Sequence, residues 1–274
     1  MNCAWESLLM VLPPWLRQKV DEAGKQTLQE LRLRINAPPE LNLGMKRIWL
    51  KETVSREDLL FCMNTASRYS PWTAATISQG YLTIRGGHRI GICGEAVCKD
   101  GHMAGIREVR SLNIRVARDF PGIANGLHPT DSVLILGAPG WGKTTLLRDL
   151  ARITAQNQTV AVVDERGELY PDGIPHGRQM DVLTGCPKGE GIGMVLKVMG
   201  PDWIALDEIT AAEDASALIR ATGCGVRLMA TAHATSAADL RKRPVYRPLL
   251  DLGIFRSLIL LHPDKSFKEE RILQ

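Results

Sequence analysis

Residues 137–144 spell Gly-Ala-Pro-Gly-Trp-Gly-Lys-Thr and complete the pattern Gly-x-x-x-x-Gly-Lys-Ser/Thr. The apolar stretch 132–136 before them predicts a buried strand, and a helical pattern over 143–155 follows them. A glycine-rich turn between a strand and a helix directs backbone N–H groups at phosphate oxygens. The pattern therefore predicts a phosphate-binding loop formed by Gly137, Ala138, Pro139, Gly140, Trp141, Gly142, Lys143, Thr144 and Thr145.

Two side chains of this loop have distinct predicted tasks. Lys143 would reach the β and γ phosphates of ATP, and the Thr144 hydroxyl would bind Mg²⁺. Thr145 should lie close to the nucleotide, and Trp141 should be exposed near the phosphates. A glycine-rich turn without a ligand is the alternative, and the strand and helix on either side of the loop argue against it.

A second acidic motif follows another predicted strand. Residues 203–208 are Trp-Ile-Ala-Leu-Asp-Glu, in which four apolar residues precede two carboxylates. A phosphate-binding loop needs a magnesium-side carboxylate at the end of a second core strand. We expect Asp207 to join the magnesium shell through water and Glu208 to act as general base on the attacking water. An exposed acidic strand end without such a role is the alternative.

Two further strand ends carry polar side chains. Residues 162–168 (VVDERGE) end a predicted strand with Asp164, Glu165 and Glu168. Because the carboxyl ends of strands face the ligand crevice in open α/β sheets, these side chains would carry magnesium, orient water or bind ribose, unless they form a solvated turn. His233 follows the strand predicted over 226–231, where it could sense the γ-phosphate. A structural histidine is the alternative.

Strand and helix patterns alternate from residue 132 onward, which predicts an α/β fold with a mostly parallel sheet and right-handed crossovers. The predicted strands are 132–136, 159–163, 203–206, 226–231 and 255–261, and the predicted helices are 143–155, 191–199, 211–222 and 236–251. Thr210 is the expected N-cap of the third helix, with Glu213 completing a capping box.

The first part of the chain has a different pattern. Residues 21–35 change from a helical to an alternating pattern, residues 56–69 are helical, and residues 80–98 predict a hairpin that turns at Gly86-Gly87. We therefore expect an α+β domain over 1–118, a linker containing Pro, Gly and Asn over 119–131, and the P-loop ATPase domain over 132–274.

The composition is that of a globular protein. The 274 residues are 45% hydrophobic and 23% charged, which excludes collagen-like and low-complexity chains. A net charge of +4 and 5% aromatic residues argue against a nucleic-acid partner. No apolar stretch approaches the roughly 18 residues of a membrane span. The N-terminal residues lack the basic region of a signal peptide, so we expect a cytoplasmic protein.

Six scattered cysteines include no Cys-x-x-Cys pair. His88, Cys93, Cys98 and His102 form a spaced series that could bind zinc, although structural zinc sites favour a closer pair of cysteines. The preferred interpretation is a hairpin in which these residues occur incidentally.

Residues 132–262 resemble the motor domain of the type II/IV secretion ATPase superfamily, which has a RecA-like P-loop fold. The resemblance is carried by the loop at 137–145, an acidic box at 164–168, the acidic motif at 202–209 and a histidine box at 231–234. Asp207 stands where that superfamily has glycine, and Thr210 stands where it has arginine.

A second resemblance, to a sporulation ATPase family of endospore-forming bacteria, extends over almost the whole chain. It includes the segments LRLRINAPPEL, GYLTIRGGHRIGICGEAV, DVLTGCPKGEGI and TAHATSAADLRKRPVYRPLL. The resemblance implies an ATPase in the mother-cell cytoplasm that docks peripherally on the membrane. It also implies a homo-oligomeric ring, usually a hexamer, which energises a channel built from membrane proteins across the forespore envelope.

Arginines are concentrated just before the expected linker, and Arg107, Arg110 and Arg115 are the best candidates to contact the γ-phosphate. Phosphoryl transfer gains greatly from an arginine that completes the site in cis or in trans. In secretion ATPases, arginines near this position have that role. A solvated basic face or ion pairs within the small domain are the alternative.

Three classes of function fit these motifs. The first is an ATP-driven motor for a membrane secretion apparatus. The second is a nucleic-acid-dependent RecA-like P-loop ATPase, against which charge and composition argue. The third is a nucleotide-binding scaffold without turnover, against which the presence of Lys143, Thr144, Asp207 and Glu208 argues.

Overall fold

The computed structural model describes residues 2–67, 80–99 and 102–272, and of His102 and Met103 it describes the backbone alone. The chain divides into two compact units. One comprises Met1–Asp119 and Pro171–Ile174, and the other comprises Phe120–Tyr170 and Pro175–Gln274. Each unit has its own hydrophobic core.

The first unit contains an antiparallel sheet in the order β3-β2-β1-β6-β5-β4. Its strands are β1 (Glu30–Arg34), β2 (Glu40–Asn42), β3 (Arg47–Trp49), β4 (Tyr81–Ile84), β5 (His88–Lys99) and β6 (His102–Arg115), and its described helices are α1 (Trp5–Val11), α2 (Pro14–Ala23) and α3 (Arg56–Ser67). The predicted α+β character is confirmed, and Gly86-Gly87 lies between β4 and β5 as expected. Residues 68–69 of the helix predicted over 56–69 lie outside the described residues.

The alternating pattern of β1 explains how this unit builds its core. Leu31 and Leu33 are fully buried, and they pair in register with Ile114 and Leu112 of β6. Because successive strand residues point to opposite faces, Arg32 lies on the other side of the sheet. The helices α1 and α3 supply further members of this core, including Leu8 and Leu59.

His88 is a structural residue of this unit. Its side chain is fully buried, with Nε2 3.0 Å from the carbonyl oxygen of Ala4 and Nδ1 accepting from the N–H of Ala117 at 3.0 Å. Both ring nitrogens are therefore used within the unit, and neither is available to a metal. Cys93 and Cys98 are exposed on β5, and the side chain of His102 lies outside the described residues. The hairpin interpretation of this series therefore remains preferred over zinc.

The second unit contains a seven-stranded sheet in the order β13-β12-β7-β11-β10-β8-β9. Neighbouring strands run parallel except β12 and β13, which are antiparallel. The strands are β7 (Val133–Leu136), β8 (Val160–Asp164), β9 (Met180–Thr184), β10 (Trp203–Leu206), β11 (Arg227–Ala232), β12 (Ser257–Leu261) and β13 (Phe267–Arg271). The prediction of an α/β fold with a mostly parallel sheet is confirmed.

Five helices of this unit are described: α4 (Lys143–Thr154), α5 (Lys188–Val198), α6 (Ala212–Gly223), α7 (Ala237–Arg241) and α8 (Arg247–Asp251). The central strands β7 and β10 are entirely buried, as expected for parallel strands covered on both faces. The edge strands β9 and β13 escaped prediction because β9 is half-buried and β13 carries mostly charged residues.

Three predicted helix boundaries are wrong. The helix expected over 191–199 begins at Lys188. The helix expected over 236–251 is divided into α7 and α8, since Pro244 between them lacks an N–H and disfavours helical backbone before it. The N-cap of α6 is Ala211 rather than Thr210. Asp214, and not Glu213, accepts the N–H groups of Thr210 and Ala211, each at 3.1 Å.

In the described part of the chain, no helix is both long enough and apolar enough to cross a membrane.

The stretch 119–131, expected to be a linker, packs within the second unit from Phe120 onward. Ala124 and Leu127 are buried, and the carboxylate of Asp149 on α4 accepts the N–H groups of Gly122 and Ala124 at 2.9 Å each. The Pro, Gly and Asn residues of this stretch thus make turns on the second unit instead of an extended tether.

We expect protonation of His88 to destabilise the protein in mild acid. Burial lowers the pKa of His88 below its ordinary value of 6.5, so the unfolded chain binds the proton more readily than the folded one. Stability from neutral His88 is fully present above pH 6.5 and is lost as the pH falls toward the lower folded-state pKa. Urea unfolding of the full chain between pH 7.5 and pH 5 measures this loss.

The variant His88→Gln should cost about 1–3 kcal/mol at neutral pH, and it should unfold with a flatter dependence on pH than the wild type. His128→Gln, at an exposed position, is the matched control. Equal pH dependence in His88→Gln and the wild type would contradict this account.

Candidate nucleotide-binding site

The phosphate-binding loop joins β7 to α4. Gly140 and Gly142 have φ values of 77° and 101°, in the left-handed region that glycine adopts without strain. Gly142 is the N-cap of α4, and among the described residues no side chain caps this helix. The first N–H groups of α4 are therefore available to an anion such as a phosphate.

Lys143 opens α4, and its ammonium group turns back over the loop. Nζ donates to the carbonyl oxygen of Ala138 at 3.2 Å and to Nδ1 of His233 at 2.8 Å. Burial lowers the pKa of Lys143, while the carboxylates of Glu208 and Asp207 oppose that shift. The ammonium is thus held by neutral acceptors that phosphate oxygens could replace.

His233 connects Lys143 to Glu208. Because an ammonium group can only donate, Nδ1 of His233 is the acceptor, and a neutral ring then carries its proton on Nε2. Nε2 lies 3.1 Å from Oε2 of Glu208. The two residues are about one-third exposed, so this carboxylate is held in place while remaining open to solvent.

Two hydroxyl groups hold the carboxylate of Asp207. Thr231 Oγ1 donates to Oδ1 at 2.8 Å, and Thr144 Oγ1 donates to Oδ2 at 3.2 Å. Mg²⁺ prefers oxygen ligands and commonly binds through one or two carboxylates together with substrate phosphates. The hydroxyl oxygen of Thr144 and the carboxylate oxygens of Asp207 are therefore suitable ligands for the Mg²⁺ ion predicted from the sequence.

Asp164 is a structural residue rather than a ligand. It is 2% exposed, and it accepts the N–H groups of Glu168, Leu169 and Tyr170 at 2.9, 2.8 and 3.0 Å. Burial raises the pKa of Asp164, and these hydrogen bonds oppose the shift. Its carboxylate shapes the turn after β8, which corrects the expectation that all three acidic residues of this turn serve a ligand.

Glu165 and Glu168 line a small polar cavity together with Asp207 and Glu208. The cavity has a volume of about 50 Å³, and Lys188 also lines it. Lys188 Nζ donates to Oε2 of Glu165 at 2.7 Å. The structure therefore brings the acidic residues predicted at the ends of β8 and β10 to one place.

An apolar cavity of about 380 Å³ lies on another side of the loop. Trp141 and Thr145 line it, together with the aromatic rings of Phe120 and Phe267. Aromatic and aliphatic walls with few polar groups suit a flat heteroaromatic ring. Trp141 is half-buried in this wall, which corrects the expectation that its side chain is exposed, and the nearness of Thr145 to a nucleotide stays a prediction.

The three candidate arginines lie on β6 in the first unit, where each has an acidic neighbour. Arg107 contacts Glu95, Arg110 lies 3.8 Å from Glu108, and Arg115 lies 3.3 Å from Glu30. Their side chains are 67%, 70% and 65% exposed. Exposed pairs of this kind are weak, so the guanidinium groups are free to exchange partners.

Three residues of the site went unrecognised in the sequence. Thr231 is a buried polar residue. A threonine within an otherwise apolar strand is visible in the sequence and could have indicated a role in the site. Lys188 and Tyr246 gave no such indication, since their roles depend on distant segments. The Tyr246 hydroxyl donates to the carbonyl oxygen of Ile209 at 2.8 Å and so holds the backbone next to Glu208.

Solved structures share this fold. The ATPase DotB of Legionella pneumophila superposes with a TM-score of 0.64 at 19% identity, covering 95% of this chain and 80% of that one. The pilus retraction motor PilT, solved with bound ADP, gives a TM-score of 0.64 at 14% identity and covers 89% and 76%. These likenesses confirm the RecA-like fold class with a smaller N-terminal domain.

Curated relatives extend the similarity in sequence. The stage III sporulation protein AA of Bacillus subtilis (strain 168) is 38% identical in an alignment 266 positions long, and the alignment covers 89% of this chain and 87% of that protein. The uncharacterised protein ycf45 of Porphyra purpurea is 29% identical in an alignment 259 positions long, and the alignment covers 89% of this chain and 43% of that longer protein.

The family model for sporulation stage III, protein AA, matches residues 6–271. The match includes the phosphate-binding loop, the acidic strand ends and the small N-terminal sheet. Both the resemblance noted in the sequence and the relative from Bacillus subtilis agree with it. The chain therefore belongs to the family of sporulation stage III, protein AA.

Proposed function

We propose that the chain is a magnesium-dependent ATPase that hydrolyses ATP to ADP and phosphate. One observation carries the proposal: hydrogen bonds join Lys143 to Glu208 through His233, and Thr144 to Asp207, at one edge of a mostly parallel sheet. Phosphoryl transfer to water requires a lysine that binds the phosphates, oxygen ligands that hold magnesium, and a carboxylate that orients the attacking water.

Binding of ATP would use the loop and its two functional side chains. Lys143 would exchange its contacts with Ala138 and His233 for oxygens of the β and γ phosphates. Thr144 and Asp207 would hold Mg²⁺, which neutralises charge on the phosphates when it is bound. The apolar cavity beside Trp141 would take the purine ring.

Hydrolysis would depend on Glu208. Its carboxylate would orient the attacking water and accept its proton. His233 would keep that carboxylate in position through Nε2, while its Nδ1 faces Lys143. The same histidine thus links the group that binds phosphate to the group that activates water, which supports its predicted role as a sensor of the γ-phosphate.

We further propose that hydrolysis drives a secretion-type motor which energises a channel across the forespore envelope during sporulation. Membership of the sporulation family supports the process, and the fold shared with the pilus retraction motor supports the mechanical role. In this proposal the chain forms a hexameric ring in the mother-cell cytoplasm and docks on membrane proteins of the channel complex. It needs no nucleic acid.

The variant Glu208→Gln should separate nucleotide binding from chemistry. The amide keeps the shape of the side chain but cannot act as a base, so turnover should fall by about 10²–10⁴-fold while Mg²⁺–ATP still binds. Phosphate release and binding of a fluorescent ATP analogue measure the two effects. Glu213→Gln, at an exposed position on α6, is the matched control. Undiminished turnover in Glu208→Gln would contradict its role as base.

The nucleic-acid alternative predicts a different response. Single-stranded DNA or RNA would then stimulate the ATPase rate, and that stimulation would fall steeply with rising salt. A rate that is independent of nucleic acid in low and high salt supports the secretion-type motor.

The arginines of β6 should affect turnover more than binding. We expect full-length Arg107→Ala, Arg110→Ala and Arg115→Ala to bind ATP nearly as the wild type does, and at least one to lose about 10³–10⁵-fold in turnover. If that arginine acts in trans, specific activity should rise with protein concentration. Arg47→Ala, an exposed arginine on β3, is the control. Full activity in all three variants, with specific activity flat across concentration, would overturn the proposed arginine role.

A further inference from the structure

Lys188 is a buried cation in an unusual place. It is 8% exposed and is the first residue of α5, directly after Pro187. The N-terminus of a helix carries partial positive charge, so a lysine there is electrostatically unfavourable. A buried ammonium also needs partners to offset its lost hydration. Its position therefore depends on the acidic groups around it.

Two carboxylates from separate segments surround this ammonium group. Oε2 of Glu165, just after β8, lies 2.7 Å from Nζ, and Oδ2 of Asp214, on α6, lies 4.0 Å away. The same oxygen of Asp214 accepts the N–H groups of Thr210 and Ala211, which follow Glu208 closely in the chain. Lys188 thus joins the end of β8, the start of α5 and the segment after β10.

Close packing fixes the position of this lysine. A Cβ at Gly191 would lie 2.7 Å from Cγ1 of Val163 and 2.9 Å from Sγ of Cys186. The first turn of α5 can therefore approach β8 closely only because residue 191 is glycine. This approach places the side chain of Lys188 on the wall of the small cavity.

The small cavity is where Lys188 meets the proposed chemistry. Lys188 and Glu165 line it together with Asp207 and Glu208. Its volume of about 50 Å³ exceeds the ~10–15 Å³ that a water molecule requires, and its lining is polar. A carboxylate held on this wall can orient water beside Glu208.

We propose that Lys188 is a positioning residue for ATP hydrolysis. It holds the carboxylate of Glu165 toward the cavity that contains Glu208. This role rests on the proposed ATPase function. Lys188 touches neither ATP nor the phosphate-binding loop in this account, so its removal should affect turnover and leave nucleotide affinity in place.

The variant Lys188→Met tests this role, because it keeps the length of the side chain and removes its charge. We expect kcat to fall by at least about tenfold, as for a misplaced water-orienting group, with Kd for ATP changed less than about threefold. Lys188→Arg, which keeps the charge, should restore part of kcat. Lys268→Met is the matched control, since Lys268 forms an exposed pair with Glu270 at 2.9 Å on β13.

A double-variant cycle with Glu165→Gln separates positioning from a general loss of structure. If Lys188 acts through Glu165, the double variant should be no slower than Glu165→Gln alone. Multiplied losses, or wild-type kcat in Lys188→Met, would overturn the proposal. Should Lys188→Met fail to fold, the same cycle is measured with Lys188→Gln.

The same variants distinguish failure of this proposal from failure of the ATPase function. A wild-type chain without ATPase activity contradicts the proposed function. The pairing of Lys188 with Glu165 is then decided by thermal unfolding without nucleotide. Non-additive Tm shifts in the cycle support the coupling, and additive shifts overturn it.

Discussion

The parallel alignment of four strands in the second unit is the constraint on which the candidate site depends. Leu136 of β7 pairs with Ala232 of β11, Ala230 of β11 pairs with Leu206 of β10, and Leu206 pairs with Val163 of β8. Because these strands end nearly level, the residues that follow them meet at one edge of the sheet. The phosphate-binding loop, His233, Asp207 and the acidic turn after β8 are neighbours for this reason.

Charges at that edge persist because each has a partner from another segment. Lys143 contacts His233, and Lys188 pairs with Glu165. Asp207 accepts hydrogen bonds from two hydroxyl groups. Partly buried charges interact more strongly than exposed ones, and losing one partner leaves the other uncompensated. The charged groups of the site are therefore linked, so that a substitution at the end of one strand alters the interactions of residues at the end of the next.

The sequence predicts those parts of the site that depend on short, continuous stretches of residues. A strand followed by glycines and Lys143, or by Asp207 and Glu208, predicts both the local backbone structure and the chemical role of the residues at its end. The alternation in β1 and the apolar runs of β7 and β10 likewise determined their burial. These features need no knowledge of distant residues.

What sequence did not predict depends on contacts between distant segments. Three contacts depend on how β8, α5 and α6 pack in three dimensions. They are the hydrogen bonds that Asp164 accepts within its own loop, the cap that Asp214 supplies to α6, and the pairing of Lys188 with Glu165. The division of the helix predicted over 236–251 was visible in Pro244, but the helical pattern on either side outweighed that signal. Edge strands with charged residues, such as β13, resemble loops because they have little to bury.

The central claim is that Lys143 binds the phosphates of ATP, and calorimetric titration of Mg²⁺–ATP into the full chain tests it most directly. A charge-assisted hydrogen bond contributes about 1.5–3 kcal/mol, so Lys143→Ala should weaken binding by at least about tenfold. Lys242→Ala, an exposed lysine after α7, should bind as the wild type does. Equal ATP affinity in Lys143→Ala and the wild type would contradict the assignment of this loop.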